Sequence, residues 1–238
     1  MARTQRADLH ERADALLDAA AEVVEGSGPR AVRIGEVARR AGVGKGTVYL
    51  HWDDREHLLL AVAAREAVAM LETVIAAVRA DPTEGALHRY LRRHFVEAMH
   101  RPILRSIFIA DPTELTALSG HPARTELATV KRQAARDHIL ALGGERLLRP
   151  GLDPGDVDYA TQAIAYGFFS AAPFLSDCGA RLSVEYQADR LAEVIRRSFE
   201  PTRPPTIDRY AAAAPKVIDA FERLREAFRH IAYGTAAD

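Results

Sequence analysis

Between Leu9 and Ile231, apolar side chains recur at spacings of three and four residues, and no convincing run alternates with a period of two. Only a helix turns such a pattern into one continuous face, so the chain is constrained to an all-α fold of packed amphipathic helices. From Asp8 to Glu25 the face is Leu9, Ala13, Leu16, Leu17, Ala20, Val23 and Val24, and Gly26-Ser27-Gly28-Pro29 ends it. From Arg55 to Ala80 it is Leu58, Leu59, Val62, Leu71, Val74, Ile75 and Val78. In the tail, Ile207, Tyr210, Ala214, Val217, Phe221, Leu224, Phe228 and Ile231 form a heptad-like seam for packing on another helix, of the same subunit or of a partner. Pro215 lies within the seam and is expected to restart the helix.

Three helix starts share one signature. Asp81-Pro82-Thr83-Glu84, Asp111-Pro112-Thr113-Glu114 and Asp153-Pro154-Gly155-Asp156 each offer an aspartate cap, a proline at the first helical position and an acid in the first turn. They predict helices near 82–100, 112–119, 123–142 and 154–176, followed by one near 184–200. Residues 143–155 and 201–205 read as loops.

The formal net charge is −1, which excludes a polycation, so any nucleic-acid surface has to be local. Cys178 is the single cysteine, as suits a reducing cytoplasm. Met1 to Asp8 lacks the apolar core of a signal peptide. Tyr159 to Ser176 carries no charge, yet Thr161, Gln162, Ser170 and Pro173 interrupt it, and Asp156, Asp158 and Asp177 flank it. It reads as a helix buried in protein rather than a membrane span.

Residues 34 to 51 carry the functional signal. Two short helices, Ile34 to Ala41 and Lys45 to His51, flank a glycine-bearing turn, which makes a helix-turn-helix. Ala38 is small where the helices cross, and Gly42 permits the positive φ that ends the first helix. Val37, Ala41, Val43 and Val48 bury beneath the crossing. Lys45, Thr47, Tyr49 and His51 are then left to reach phosphates or base edges in the major groove. Arg30, Arg33, Arg39, Arg40 and Lys45 face Glu36 alone in this stretch, a basic patch in a near-neutral chain. The DNA-binding domain is assigned to residues 1–54.

Val37-Ala38-Arg39-Arg40-Ala41-Gly42-Val43-Gly44-Lys45-Gly46-Thr47-Val48-Tyr49-Leu50-His51-Trp52, followed by Asp53-Asp54-Arg55-Glu56-His57-Leu58-Leu59, resembles the TetR family of transcriptional regulators. The resemblance is specific over about residues 8 to 60. It implies that Gly44 to His51 enter the major groove, with Lys45 and Tyr49 on phosphates, Thr47 at the groove and Arg55 on backbone phosphate. Two positions depart from the pattern. Arg33 replaces the usual Ser or Thr cap, loosening that helix start while offering a phosphate contact, and Gly44 replaces the usual serine before the lysine.

The resemblance also implies that residues 55–238 are a helical ligand-binding and dimerisation domain, with an effector pocket and a dimer surface. Phe95, Met99, Phe108, His138, Tyr166 and Phe169 are the candidate pocket residues. Ala160, Ala163, Gly167 and Ala171, with the helix near 184–200, form the candidate dimer surface. A homodimer would present two recognition helices one DNA turn apart to a palindromic operator, and an unidentified small molecule would control a repressor. Two other classes compete. An adaptor answering to a protein partner would use the tail seam. A bundle enzyme would use Glu97-Ala98-Met99-His100, a Glu-x-x-His unit without the second copy that a di-metal site needs. No catalytic, metal or cofactor site is assigned.

Overall fold

The computed structural model describes residues 2–108, 122–170 and 182–234, with side chains from residue 9 onward except those of 107, 108 and 124, and its regular structure there is helical throughout. The helices are α1 (Ala2–Ser27), α2 (Ile34–Arg40), α3 (Lys45–Val48), α4 (Arg55–Ala80), α5 (Leu87–His100), α6 (Pro102–Phe108), α7 (Pro122–Gly144), α8 (Pro154–Ser170), α9 (Val184–Phe199) and α10 (Ile207–Tyr233). Short 3₁₀ turns occupy Pro29–Ala31 and Pro82–Gly85. The helix expected over 112–119 lies outside the described residues, as do positions 171–176.

Two expectations are corrected. The Asp81 carboxylate does cap, accepting from the Thr83 amide at 2.9 Å, but the residues it caps form a 3₁₀ turn and not the first turn of α5. The Gly85 carbonyl, which a continuous helix would spend on its own ladder, instead accepts from His138 Nε2 at 2.7 Å. Ala86 then leaves the helical conformation, with ψ 140°, and α5 starts at Leu87. Pro215 does not restart the tail helix either: α10 runs unbroken through it. Proline removes one N–H, and the carbonyl left without it, on Ala211, belongs to an exposed residue where water can satisfy it. At Asp153 the expected cap forms, its Oδ1 accepting from the Gly155 and Asp156 amides at 2.8 and 3.1 Å.

The chain divides into two compact units. The first comprises Met1–Ala69, Arg101–Ala128 and Arg225–Asp238. Its core is Leu16, Leu17, Ala20 and Val24 of α1, Val37 and Ala38 of α2, Val48, Trp52, and Leu58 and Val62 of α4. Each large apolar side chain so buried contributes roughly 1.5–3 kcal/mol. The end of α10 is tied in: Trp52 Nε1 donates to the Ala232 carbonyl at 3.2 Å, and Tyr233 Oη donates to Asp14 at 2.8 Å.

The second unit comprises Met70–His100 and Thr129–Leu224. There α5 packs along α9, with Leu87, Leu91, Phe95 and Ala98 of α5 and Leu191 and Ile195 of α9 buried. Polar ties run beside them, from Arg92 to Asp189 at 2.6 Å and from His88 to the buried Glu200 at 2.6 Å. The tail seam from Ala214 to Ile231 is buried within its own chain, while Ile207 at its start is exposed.

Candidate nucleic-acid interface

The α2–turn–α3 segment is shaped mainly by its own backbone. Arg33 stands at the cap of α2 in extended conformation and makes no side-chain cap bond. Its guanidinium donates instead to the carbonyls of Arg30 and Val32 at 2.5 and 3.0 Å. Glu36 supplies the acid that the helix start favours. It also binds Arg39 at 2.7 Å and Arg40 at 2.8 Å, and hydrogen bonds from those two arginines hold its carboxyl down to about 2.

At the other end of α2, Gly42 has φ 68°, with its amide bonded to the Arg39 carbonyl at 3.3 Å and the Val43 amide to Ala38 at 3.0 Å. This pair of bonds is the Schellman closure, which requires the left-handed residue that glycine provides. The chain then turns through Gly44, the uncapped start of α3. The α-helical part of α3 ends at Val48, short of the expected His51, because the amides of Leu50 and His51 bond three residues back in tighter turns.

Anchoring and display are separated by helical phase. Val48 and Trp52, four apart, are buried. Lys45 and Gly46 are exposed, Tyr49 is 48% and Leu50 75% exposed, and Thr47 is half-buried. The Lys45 side chain forms no hydrogen bond or ion pair within the described residues. Gly44 and Gly46 are exposed, and neither has a neighbour where a Cβ would be, so nothing of the protein screens the backbone there.

The remaining expected DNA-binding residues lie differently. His51 is half-buried, its Nε2 is buried without a partner among the described residues, and burial together with nearby Arg12 pushes its pKa below the usual histidine value. Arg55 donates to the carbonyls of Pro29 and Val32 at 2.6 and 2.9 Å and to Glu56 at 3.0 Å. Three of its five donors are thus spoken for, leaving two for any other acceptor. Leu50 is a residue that the sequence pattern did not single out. The available signal was phase: two residues beyond Val48, it falls on the side opposite the buried Val48–Trp52 stripe.

In the second unit, Phe95 and Phe169 lie 4.8 Å apart between ring centroids, and both are buried. His94 meets Phe169 edge-on at 6.0 Å, and Tyr90 bridges from His94 at 5.7 Å to His138 at 5.1 Å and Phe221 at 4.8 Å. Three of the expected pocket residues, Phe95, His138 and Phe169, therefore belong to one aromatic cluster, along with the unforeseen Tyr90, His94 and Phe221. Met99 is buried on α5, Tyr166 is 62% exposed, and the side chain of Phe108 lies outside the described residues. Burial lowers the pKa of both His94 and His138 to about 4, and raises that of Tyr90 to about 12. The His94 Nδ1 is buried with no hydrogen-bond partner among the described residues.

His100 of the Glu-x-x-His unit lies 3.3 Å from Glu185, and among the described residues no three His, Cys, Asp or Glu side chains are grouped to hold a metal ion. No helix among the described residues is long and apolar enough to cross a membrane.

Residues 16–62 match the family of bacterial regulatory proteins of the tetR type. No curated protein sequence matches the chain. Among solved structures, a TetR-family transcriptional regulator from Rhodococcus sp. is 26% identical, with 79% of this chain and 98% of that one covered at a TM-score of 0.53. NalD of Pseudomonas aeruginosa, the secondary repressor of the MexAB-OprM multidrug efflux pump, is 20% identical over 82% of this chain and 99% of its own, with a TM-score of 0.55. A transcriptional regulator from Saccharomonospora viridis, solved in complex with choline, is 16% identical over 81% of this chain and 99% of its own, with a TM-score of 0.57. The family match therefore lies on the helix-turn-helix, and the helices beyond it share the fold of TetR-family transcriptional regulators.

Proposed function

We propose that this protein is a homodimeric, ligand-responsive repressor that binds a palindromic operator, with residues 1–54 contacting DNA and 55–238 binding effector and forming the dimer. The observation that carries the reading is the display of Lys45, Tyr49 and Leu50 on a segment whose other side, Val48 and Trp52, is buried. In this reading Lys45 and the Tyr49 hydroxyl hold phosphates, Thr47 sits at the groove, and Leu50 offers an apolar contact to a thymine methyl. Gly44 and Gly46 let the backbone approach. Arg33, His51 and the two uncommitted donors of Arg55 are second-rank contacts.

Repression and small-molecule control are supported by the likeness to NalD and to the choline-bound Saccharomonospora viridis regulator. The aromatic cluster around Phe95, Phe169 and His138, with Met99, Tyr166 and Phe108 nearby in the chain, is the proposed effector region. Effector binding would favour a spacing of the recognition helices that no longer fits the operator, which requires it to bind one state better than the other. The dimer surface is proposed on α8 and α9, where Tyr159, Ala163, Tyr166 and Gly167 of α8 and Tyr186 and Val194 of α9 are exposed. The partner-controlled adaptor loses its main support, because the tail seam is already covered within its own chain. The protein acts in the cytoplasm and has no catalytic role in this reading.

Retention of a mixed duplex pool by purified wild type, Lys45→Ala and Tyr49→Phe tests the interface. Lys45→Ala is expected to weaken binding about tenfold and to lower the salt slope by about one. Tyr49→Phe is expected to weaken it by a smaller factor, with helical content unchanged in both. Unaltered affinity in both variants would remove the recognition role from α3.

A further inference from the structure

The second unit contains a cleft of about 560 Å³ between the end of α7, the loop after it and the start of α8. Ile139, Leu148, Leu152 and Val157 give it apolar walls. The ionisable side chains that line it are Arg146, Arg149 and Arg209, and no acid is among the lining residues. None of the effector-region side chains lines it either, so the two places are separate.

The three arginines are not equivalent. Arg149 is fixed, its Nε donating to the Glu200 carbonyl at 3.0 Å and a second nitrogen to the Arg197 carbonyl. The side chains of Arg146 and Arg209 are exposed and form no hydrogen bond or ion pair within the described residues. Arg146 also has φ 55°, at the closing position of α7, where its amide bonds to Gly143 at 3.0 Å and the Leu147 amide to Leu142 at 2.9 Å. That is the place of a helix-ending glycine, and a side chain there is strained by roughly 1–2 kcal/mol. A strained residue whose only long-reaching group lines a cleft is a pointer to use of that group.

From the cleft and its unpaired guanidiniums we infer a second small-molecule site, for an amphipathic anion: an apolar body against Ile139, Leu148, Leu152 and Val157 with a terminal oxyanion on Arg146 and Arg209. Guanidinium forks match carboxylate and phosphate oxygens, and the volume is in the range of small-molecule sites. Arg149 keeps the potential positive while two carbonyls hold its guanidinium in place.

Decanoate is the probe, titrated calorimetrically below its micelle concentration and compared with decan-1-ol. Wild type is expected to take up decanoate saturably and the alcohol much more weakly. Arg209→Ala and Arg146→Gly are each expected to bind decanoate about tenfold or more weakly, the loss of one charge-assisted hydrogen bond. Arg146→Gly relieves the backbone, so its melting temperature is expected to rise while affinity falls, which separates lost binding from lost folding. Affinities unchanged in both variants, equal binding of the alcohol, or no uptake of decanoate at millimolar concentration would each overturn the site.

Discussion

Gly42 shows how one residue type fixes the geometry of the DNA-reading segment. Its φ of 68° lets the amides of Gly42 and Val43 close α2 and deliver the chain to α3. No atom lies within 4 Å of where a Cβ would stand, so a substitution meets only backbone strain and not a clash. Gly42→Ala is therefore expected to destabilise the protein by about 1–2 kcal/mol, read as a shift in the denaturant midpoint. An unchanged midpoint would mean the turn adapts. The same glycine was legible in the sequence, as were Ala38 and the buried Val37 and Val48, because local rules dictate them. The bonds of Arg55 were not legible: its acceptors are 23 and 26 residues away in the chain, and no local pattern announces a carbonyl at that distance. His51 shares this limit, since its half-burial depends on packing remote in sequence.

Among the elements, helix bounds follow the periodicity where caps and packing agree. Arg55–Ala80 is found as expected, whereas the start at Asp81 is diverted into a 3₁₀ turn by a carbonyl committed to His138. That bond also sets a pH response. His138 is 1% exposed, and burial makes the neutral ring the stable folded form, although the bond from its Nε2–H to Gly85 offsets this in part. Its pKa is lowered in the fold from 6.5 to about 4 by burial. A depressed histidine contributes fully above pH 6.5, where both states are neutral. The unfolded chain gains a proton first as pH falls, and stability drops progressively between about 6.5 and 4. The loss from His138 alone is of order 3 kcal/mol, with His94 adding in the same direction. His138→Gln keeps a donor for Gly85 but does not titrate, so its stability profile is expected to be flatter over that window. A profile as steep as wild type would place the titration elsewhere.

At the scale of the whole molecule, the proposed function depends on two copies presenting two α3 segments together. Ala163 is exposed in the single chain, so Ala163→Arg is compatible with the fold but places a charge on the proposed dimer face. Light scattering after size exclusion is expected to show a dimer for wild type and a monomer for this variant, with operator affinity falling at least tenfold. A dimeric variant would move the interface off α8. The exposure of Tyr166 was not legible: the sequence pointed to a pocket residue, whereas in the fold its side chain is 62% exposed. Sequence-specific binding is measured by selection from a randomised duplex pool at fixed moderate salt, followed by sequencing. Enrichment of a palindromic motif is expected, with half-sites about 10 base pairs apart or a multiple of that. Retention that is salt-sensitive but blind to sequence, or no retention at all, would contradict it.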